Sequence, residues 1–191
     1  MPTPSLPAAF NAAKAALDAF LADPATLPAA QAIADTVAAA LAGNHKVLIC
    51  GNGGSLCDAA HFAEELTGRF RNDRRPLAAI ACTEPGHITC TANDYGFEHV
   101  FARWVTALAR PGDLLIILST SGNSPNCLRA VEVARAAGVK TAALLGKDGG
   151  RLKGQCDIQL IAPGHTSDRI QELHMLTLHA IVEAVEAQLA G

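Results

Sequence analysis

The stretch Val47–Leu66, VLICGNGGSLCDAAHFAEEL, constrains the fold more than any other part of the chain. Val47-Leu48-Ile49-Cys50 is a short apolar run that suits a strand buried on both faces. Gly51-Asn52-Gly53-Gly54 cannot continue that strand and supplies the backbone freedom for a tight turn. Ser55 followed by Asp58 marks a helix start, a hydroxyl cap with an acid in the first turn. The helix then carries His61 and Glu65 four residues apart, on one side.

A glycine-rich loop running into a helix N-terminus offers unpaired N–H groups and the positive end of a helix dipole, so it favours an anion. The loop is not GxxxxGK[ST], because no lysine follows, and not GxGxxG. A small phosphorylated molecule therefore fits better than a nucleotide. The plainer alternative is a tight turn with no ligand.

The 191 residues suit one domain, with a helical cover or oligomerisation segment over residues 1–44 and an α/β core over 45–191. Half the chain is hydrophobic but only 4% is aromatic, so Ala, Val, Leu and Ile must do the packing, as is common in α/β folds. With a net charge of −3 and no basic block beyond Arg69–Arg75, a nucleic-acid partner is not indicated. No apolar run approaches the ~20 residues of a membrane span, and no signal peptide is visible at the start. The six cysteines show no CxxC spacing and sit mostly in or beside apolar runs, which reads as buried reduced thiols in a cytoplasmic protein.

Residues 5–22 read as an amphipathic helix bearing Leu6, Phe10, Leu17 and Leu21, ended by Asp23-Pro24. A second helix from near Pro28 to Gly43 carries Ile33, Val37 and Leu41. Thr67–Arg75 reads as a solvated basic loop. Further strands are expected at Leu77–Cys82, Leu114–Leu118, Lys140–Leu145 and Cys156–Ala162, with helices at His87–Ala92, Phe97–Ala109, Asn126–Ala137 and Ser167–Leu189. The loop Ser119-Thr120-Ser121-Gly122-Asn123-Ser124 leaves the third strand and enters a helix at Pro125. Its four hydroxyls suit phosphate oxygens, and two such loops at the carboxyl ends of one parallel sheet point to a shared ligand. His174 reads as a helix-packing residue, and His45, His87, His99 and His165 as surface or loop residues.

In order and spacing, CGNGGS, CDAAHFAEELTGRF, ITCTANDYGF, STSGNS, GKDGG and DRIQELHMLTLH together resemble the phosphoheptose isomerases, a family of sugar-isomerase (SIS-domain) proteins. The likeness runs from about residue 5 to residue 189. It implies a flavodoxin-like three-layer α-β-α sandwich with a five-stranded parallel sheet and two N-terminal helices. It implies conversion of sedoheptulose 7-phosphate to D-glycero-D-manno-heptose 7-phosphate by a cytoplasmic homotetramer with sites between subunits. By the same resemblance, Asn52, Gly53, Gly54 and Ser55 form a substrate loop, and Asn93 and Asp94 are a substrate-contacting pair. Ser119, Thr120, Ser121 and Ser124 match a phosphate cradle, and Asp168 an acid near the site. His61, Glu65, Gln171 and His179 match a site for one Zn2+ per subunit. Glu65 and His179 match the acid/base pair, and Glu65 and Gln171 also match substrate contacts. Leu56 stands where some relatives have histidine.

Moving a carbonyl between neighbouring sugar carbons passes through an enediol and needs a base at carbon, a proton shuttle at oxygen and donors for the oxyanion. Glu65 is expected to move the carbon-bound proton and His179 to serve the oxygens. Gln171 and His179 are eight residues apart on one helix, a rise of roughly 12 Å, so a single ion would need side chains reaching from two sides. A ligated Glu65 is also a poorer base. The rival expectations are a non-catalytic SIS scaffold that binds the replication initiator protein, and a sugar-phosphate-binding regulatory module. The scaffold lacks the glutamate and histidine that this chain has.

Overall fold

The computed structural model describes residues 5–189. Two helices, α1 (Leu6–Ala22) and α2 (Thr26–Ala42), precede β1 (Val47–Gly51) and α3 (Gly54–Thr67). Then come β2 (Ala79–Ala81), α4 (Pro85–Tyr95), α5 (Val100–Leu108), β3 (Leu114–Ser119), α6 (Pro125–Ala136), β4 (Lys140–Gly146), β5 (Ile158–Ala162) and α7 (Ser167–Leu189). The strands form one parallel sheet in the order β2-β1-β3-β4-β5. From β1 the chain goes to one side for β2 and then crosses to the other for β3, so the strand order reverses between β1 and β3. In open α/β sheets ligands bind at that reversal, outside the carboxyl ends of the strands.

Alternation along the strands divides the core into two layers. Val47, Ile49, Leu114, Ile116 and Leu118 face α2, α3 and α7, together with Phe20 of α1. Leu48, Cys50, Leu115 and Ile117 face α5 and α6. Every residue of β1 and β3 is buried, as their uninterrupted apolar sequences require. At the amino end of this pair the buried Asp113 accepts from the backbone N–H groups of Lys46 (3.0 Å) and Arg110 (2.7 Å) and from the Lys46 ammonium. Burial alone would push this carboxyl up, but those bonds outweigh it and hold it below the usual range.

Several expected elements shift for local reasons. Helix α3 begins at Gly54 with Gly53 as its cap and no side-chain capping bond, so Ser55 is not the cap expected from the sequence; it lies buried in the first turn. Strand β2 is an edge strand and pairs over only three residues. Strand β5 begins two residues late because Asp157 instead accepts from the N–H and hydroxyl of Thr141. Helix α4 is longer than expected, because Glu84 caps Gly86 and His87 while Gly96, at φ 94°, ends it beyond Asn93-Asp94. A one-turn 3₁₀ segment, Phe97–His99, precedes α5 in place of one continuous helix. On α1, Leu17 packs on the core while Leu6, Phe10 and Leu21 stay exposed. Cys57 and Cys90 are exposed, contrary to the expectation of buried thiols, whereas Cys50, Cys82 and Cys127 are buried. Burial pushes the Cys82 and Cys127 thiols up to about 12, which keeps them protonated. Among the described residues no single helix is long and apolar enough to cross a membrane.

His174 of α7 is fully buried and donates from Nε2 to the Leu145 carbonyl at 2.9 Å, while its Nδ1 has no partner. Burial lowers its pKa to about 4, against 6.5 for the free side chain. Below pH ~6.5 the unfolded chain takes up a proton that the folded chain refuses until about pH 4, so stability falls with pH across that window and is fully present above it. The loss is on the order of 3 kcal/mol. His174→Gln, which keeps a donor for Leu145, is expected to flatten this part of the urea-midpoint profile; an unchanged profile would exclude His174 as its source.

Candidate functional site

Register places the two expected loops side by side. Gly51 ends β1 opposite Leu118 of β3, so the glycine loop and the serine loop leave the sheet as neighbours. They are tied by a reciprocal amide pair. Asn52 Nδ2 donates to Asn126 Oδ1 at 2.9 Å, and Asn126 Nδ2 returns a bond to Asn52 Oδ1 at 2.8 Å. Asn126 is almost fully buried and also accepts from the Cys127 N–H at 3.0 Å. It went unnoticed in the sequence, where a lone asparagine in the first turn after a proline looks like helix-start chemistry.

The serine loop is braced from within and from below. Ser119 Oγ accepts from the Gly122 N–H at 3.1 Å, and Ser121 Oγ from the Asn123 N–H at 3.2 Å. Each hydroxyl therefore keeps its O–H to donate elsewhere. Thr120 Oγ1 lies 3.2 Å from Ser167 Oγ at the start of α7. Gly122, at φ 64°, runs so close to Gly149 that a Cβ would stand 1.8 Å from its carbonyl oxygen, which ties the loop to the Gly146–Gly150 turn. Ser124 is the cap position of α6 but makes no side-chain capping bond, so its hydroxyl is uncommitted. Asn52, Ser55, Ser119, Thr120, Ser121 and Ser124 line a cavity of about 40 Å³ between the loops. Hydroxyl donors and the starts of α3 and α6 suit this cavity to an anion.

A second cluster lies where α3 packs on α7. Glu65 Oε1 is 3.4 Å from His61 Nε2 and 3.3 Å from His179 Nε2, and one ligand atom from each residue lies within 4.8 Å of the others. Tetrahedral zinc with bonds of ~2.0–2.1 Å spaces its ligand atoms ~3.3–3.4 Å apart, so the spacing and the donor types suit that ion. Glu65 is buried, and its Oε2 has no hydrogen-bond partner. Burial pushes its carboxyl up, while the charge of His179 and then of His61 pulls it back.

The other expected residues fall around these two centres. Gln171 lies over the glycine loop, its amide 2.7 Å from where a Cβ of Gly54 would stand and its Nε2 3.5 Å from Ser55 Oγ. Asp168, in the first turn of α7, is exposed; hydrogen bonds from Thr166 and then Arg169 hold its carboxyl below the usual range. Asn93 and Asp94 are exposed on α4, where Asn93 donates to Asp94 at 2.7 Å and Asp94 accepts from the Cys90 thiol. No hydrogen bond among the described residues joins them to either loop. The expected solvated basic loop is corrected at Arg74, whose largely buried guanidinium donates to the carbonyls of Glu65 (2.5 Å) and Leu66 (2.8 Å) and pairs with Glu186 of α7 (3.0 Å).

Two donor-lined loops at the reversal of a doubly wound parallel sheet, with a carboxylate–imidazole cluster between α3 and α7, suit a phosphate ester on an α/β scaffold. Residues 10–146 match the SIS domain family. The chain is 63% identical over 141 residues to the phosphoheptose isomerase of Fusobacterium nucleatum, an alignment covering 74% of this chain and 73% of that protein. It is 48% identical over 183 residues to the phosphoheptose isomerase of Edwardsiella ictaluri, covering 95% and 94% respectively. The solved phosphoheptose isomerase GmhA from Neisseria gonorrhoeae superposes with a TM-score of 0.89 at 37% identity, covering 95% of this chain and 97% of that one. The chain belongs to the SIS-domain family and, within it, to the phosphoheptose isomerases.

Asn126→Leu keeps the volume but strands the Asn52 amide and the Cys127 N–H. It is expected to cost about 1–3 kcal/mol in urea unfolding. A wild-type midpoint would show that the amide pair does not lock the loops.

Proposed function

We propose that this chain is an aldose–ketose isomerase converting D-sedoheptulose 7-phosphate to D-glycero-D-manno-heptose 7-phosphate, the opening step toward nucleotide-activated heptose. The observation that carries this reading is the approach of Glu65 and His179, remote in sequence, to 3.3 Å in a chain so similar to phosphoheptose isomerases. The serine loop and the starts of α3 and α6 bind the phosphate and orient the reacting end of the sugar. Glu65 takes the proton from the carbon beside the carbonyl and returns it to the neighbouring carbon. His179 moves protons between the two oxygens, and Gln171 donates to the sugar. Asn93, Asp94 and Asp168 contact its hydroxyls. The carbonyl migrates by one carbon with no net change in protons or electrons, so no redox cofactor is needed.

His61, Glu65 and His179 would hold a zinc ion, with Gln171 as the fourth ligand. When bound, the ion supplies a Lewis acid that polarises the carbonyl. The two carboxylate oxygens differ: Oε1 faces both imidazoles, and Oε2 is buried without a hydrogen-bond partner, so no bond within the described chain commits it to another task.

The enzyme is a cytoplasmic homotetramer in this reading, with each site completed by a second copy. The spacing supports that arrangement. Ser55 and Glu65 are ten residues apart on α3, about 15 Å along the helix. An extended seven-carbon sugar phosphate spans roughly 10 Å, from carbon–carbon bonds of ~1.5 Å. Gln171 lies roughly 12 Å along the helix from His179, more than two helix pitches, so a second copy is the simpler source of the fourth ligand.

Incubation with sedoheptulose 7-phosphate is expected to yield the aldose, and Glu65→Gln to keep the fold while lowering turnover at least ~10³-fold. Binding without conversion by the wild-type chain would favour a scaffold or a regulatory module instead. Protein purified without chelator is expected to carry one zinc per subunit, lost in His61→Ala; sub-stoichiometric metal would count against the ligand set. Co-expression of Glu65→Gln with Ser121→Ala, each inactive alone, is expected to restore measurable activity through mixed sites, and no recovery would place each site within one chain.

A further inference from the structure

Histidines that do chemistry are usually aimed by a hydrogen bond from the second ring nitrogen to a carbonyl or carboxylate. In this chain His174 has such an anchor at Leu145 and His87 one at Val100. Among the described residues no such bond anchors His179. Its ring is instead bounded by two other rings. Phe70 stacks on it with centroids 5.9 Å apart and planes at 22°, and His61 meets it edge-on at 5.2 Å and 78°.

Phe70 lies in segment 68–76, between α3 and β2, which is tied to both helices of the cluster. On α7, His179, Glu183 and Glu186 follow one another on a single face. Phe70 takes the first, Arg71 pairs with the second, and Arg74 pairs with the third. Arg74 also donates to the Glu65 and Leu66 carbonyls at the end of α3, so one guanidinium joins the helix that carries Glu65 to the helix that carries His179. The Arg71–Glu183 pair is exposed and contributes little stability in itself. Its geometric result is a guanidinium 5.2 Å from the centroid of the Phe70 ring.

We propose that Phe70 is a positioning residue for the isomerisation: its ring, supported by Arg71 and by the Arg74–Glu186 tie, sets the plane in which His179 Nε2 faces Glu65. The inference rests on the acid/base roles given above. Stacking does the work that a hydrogen bond does for other catalytic histidines, and it leaves the second ring nitrogen of His179 free to exchange protons. A flat aromatic face is required; apolar volume alone does not fix the ring plane.

The test compares Phe70→Leu with Phe70→Tyr, both with zinc added so that metal occupancy does not differ. Leucine keeps apolar volume without a flat face, and tyrosine keeps the face. Phe70→Leu is expected to lower kcat by about 10- to 100-fold, the scale of loss from a misplacement near 1 Å, with KM within about threefold of wild type. Phe70→Tyr is expected to retain kcat within about threefold. Equal kcat in the two variants, or wild-type kcat in Phe70→Leu, overturns the proposal. If Phe70→Leu does not fold, Arg71→Gln replaces it; Arg71 is exposed, and its loss is expected to lower kcat by a smaller factor at an unchanged unfolding midpoint, with no change in kcat overturning the proposal. A crystal structure of Phe70→Leu separates this from failure of the reaction assignment. A His179 ring unmoved from Glu65 sinks the positioning role whatever the substrate, whereas a wild-type chain that turns over no ketose phosphate sinks the assignment alone.

Discussion

The parallel pairing of β1 with β3 turns two short loops into one receptacle. Gly51 sits opposite Leu118 with its backbone so close that a Cβ would stand 2.8 Å from the Leu118 carbonyl oxygen. Any larger residue would push the ends of the two strands apart. At the other end of the pair, Asp113 staples Lys46 to Arg110 and sets the register from below. With both ends fixed, Asn52 and Asn126 meet amide to amide, and the hydroxyls of Ser119, Ser121 and Ser124 converge on the space beside them. Each loop alone offers a helix start and a few donors. Held together, they line one cavity with hydroxyls from both sides, which a single loop cannot do.

The parts of this arrangement that were legible in the sequence are those in which one residue carries its own signal. VLIC and LLIIL have no polar position to expose, so they read as buried strands, and GNGGS and STSGNSP read as loops entering helices. The four-residue step from His61 to Glu65 puts them on one face under any helical phase. What stayed hidden depends on partners far along the chain. Arg74 sits in a run of four basic residues and looks solvated; only Glu186 and the carbonyl end of α3, brought up by folding, make it a buried cation. Asn126 and Phe70 are ordinary in local sequence because their partners, Asn52 and His179, lie 74 and 109 positions away. Ser55 departs from its local pattern for the opposite reason. Its local pattern is a good cap, but Gly53 reaches the cap conformation first and turns the hydroxyl inward.

The site is also where the molecule gives up stability. An ionised carboxylate moved out of water costs several kcal/mol, and Glu65 is buried with one oxygen unpartnered. Two imidazoles offset part of that cost on one side. On the other, Arg74 occupies the carbonyls that would otherwise be orphaned at the helix end, Glu65's own among them. The polar groups are concentrated on α3, α7 and the segment joining α3 to β2, while β1 and β3 beneath them are buried throughout and apolar up to Ser119. That division sets a costly polar cluster on a fully buried apolar base.

Helix α3 carries residues of both centres and has opposite polarity at its ends. Its N-terminus, at Gly54, turns partial positive charge toward the cavity between the loops, with the N–H groups of Ser55, Leu56 and Cys57 bonded back to the Asn52 and Gly53 carbonyls. Glu65 lies in its last turn, beside the partial negative pole, which disfavours the carboxylate anion and adds to the effect of burial in the same direction. Helix-pole effects are worth only ~0.3–1 kcal/mol each, against several for burying a charge, so burial dominates and the dipole reinforces it. A carboxyl raised in this way holds a proton more readily than a solvated glutamate. The alignment of peptide dipoles that favours an anion at one end of α3 therefore also makes the carboxylate at the other end more basic, and neither effect requires a residue outside the helix to be charged.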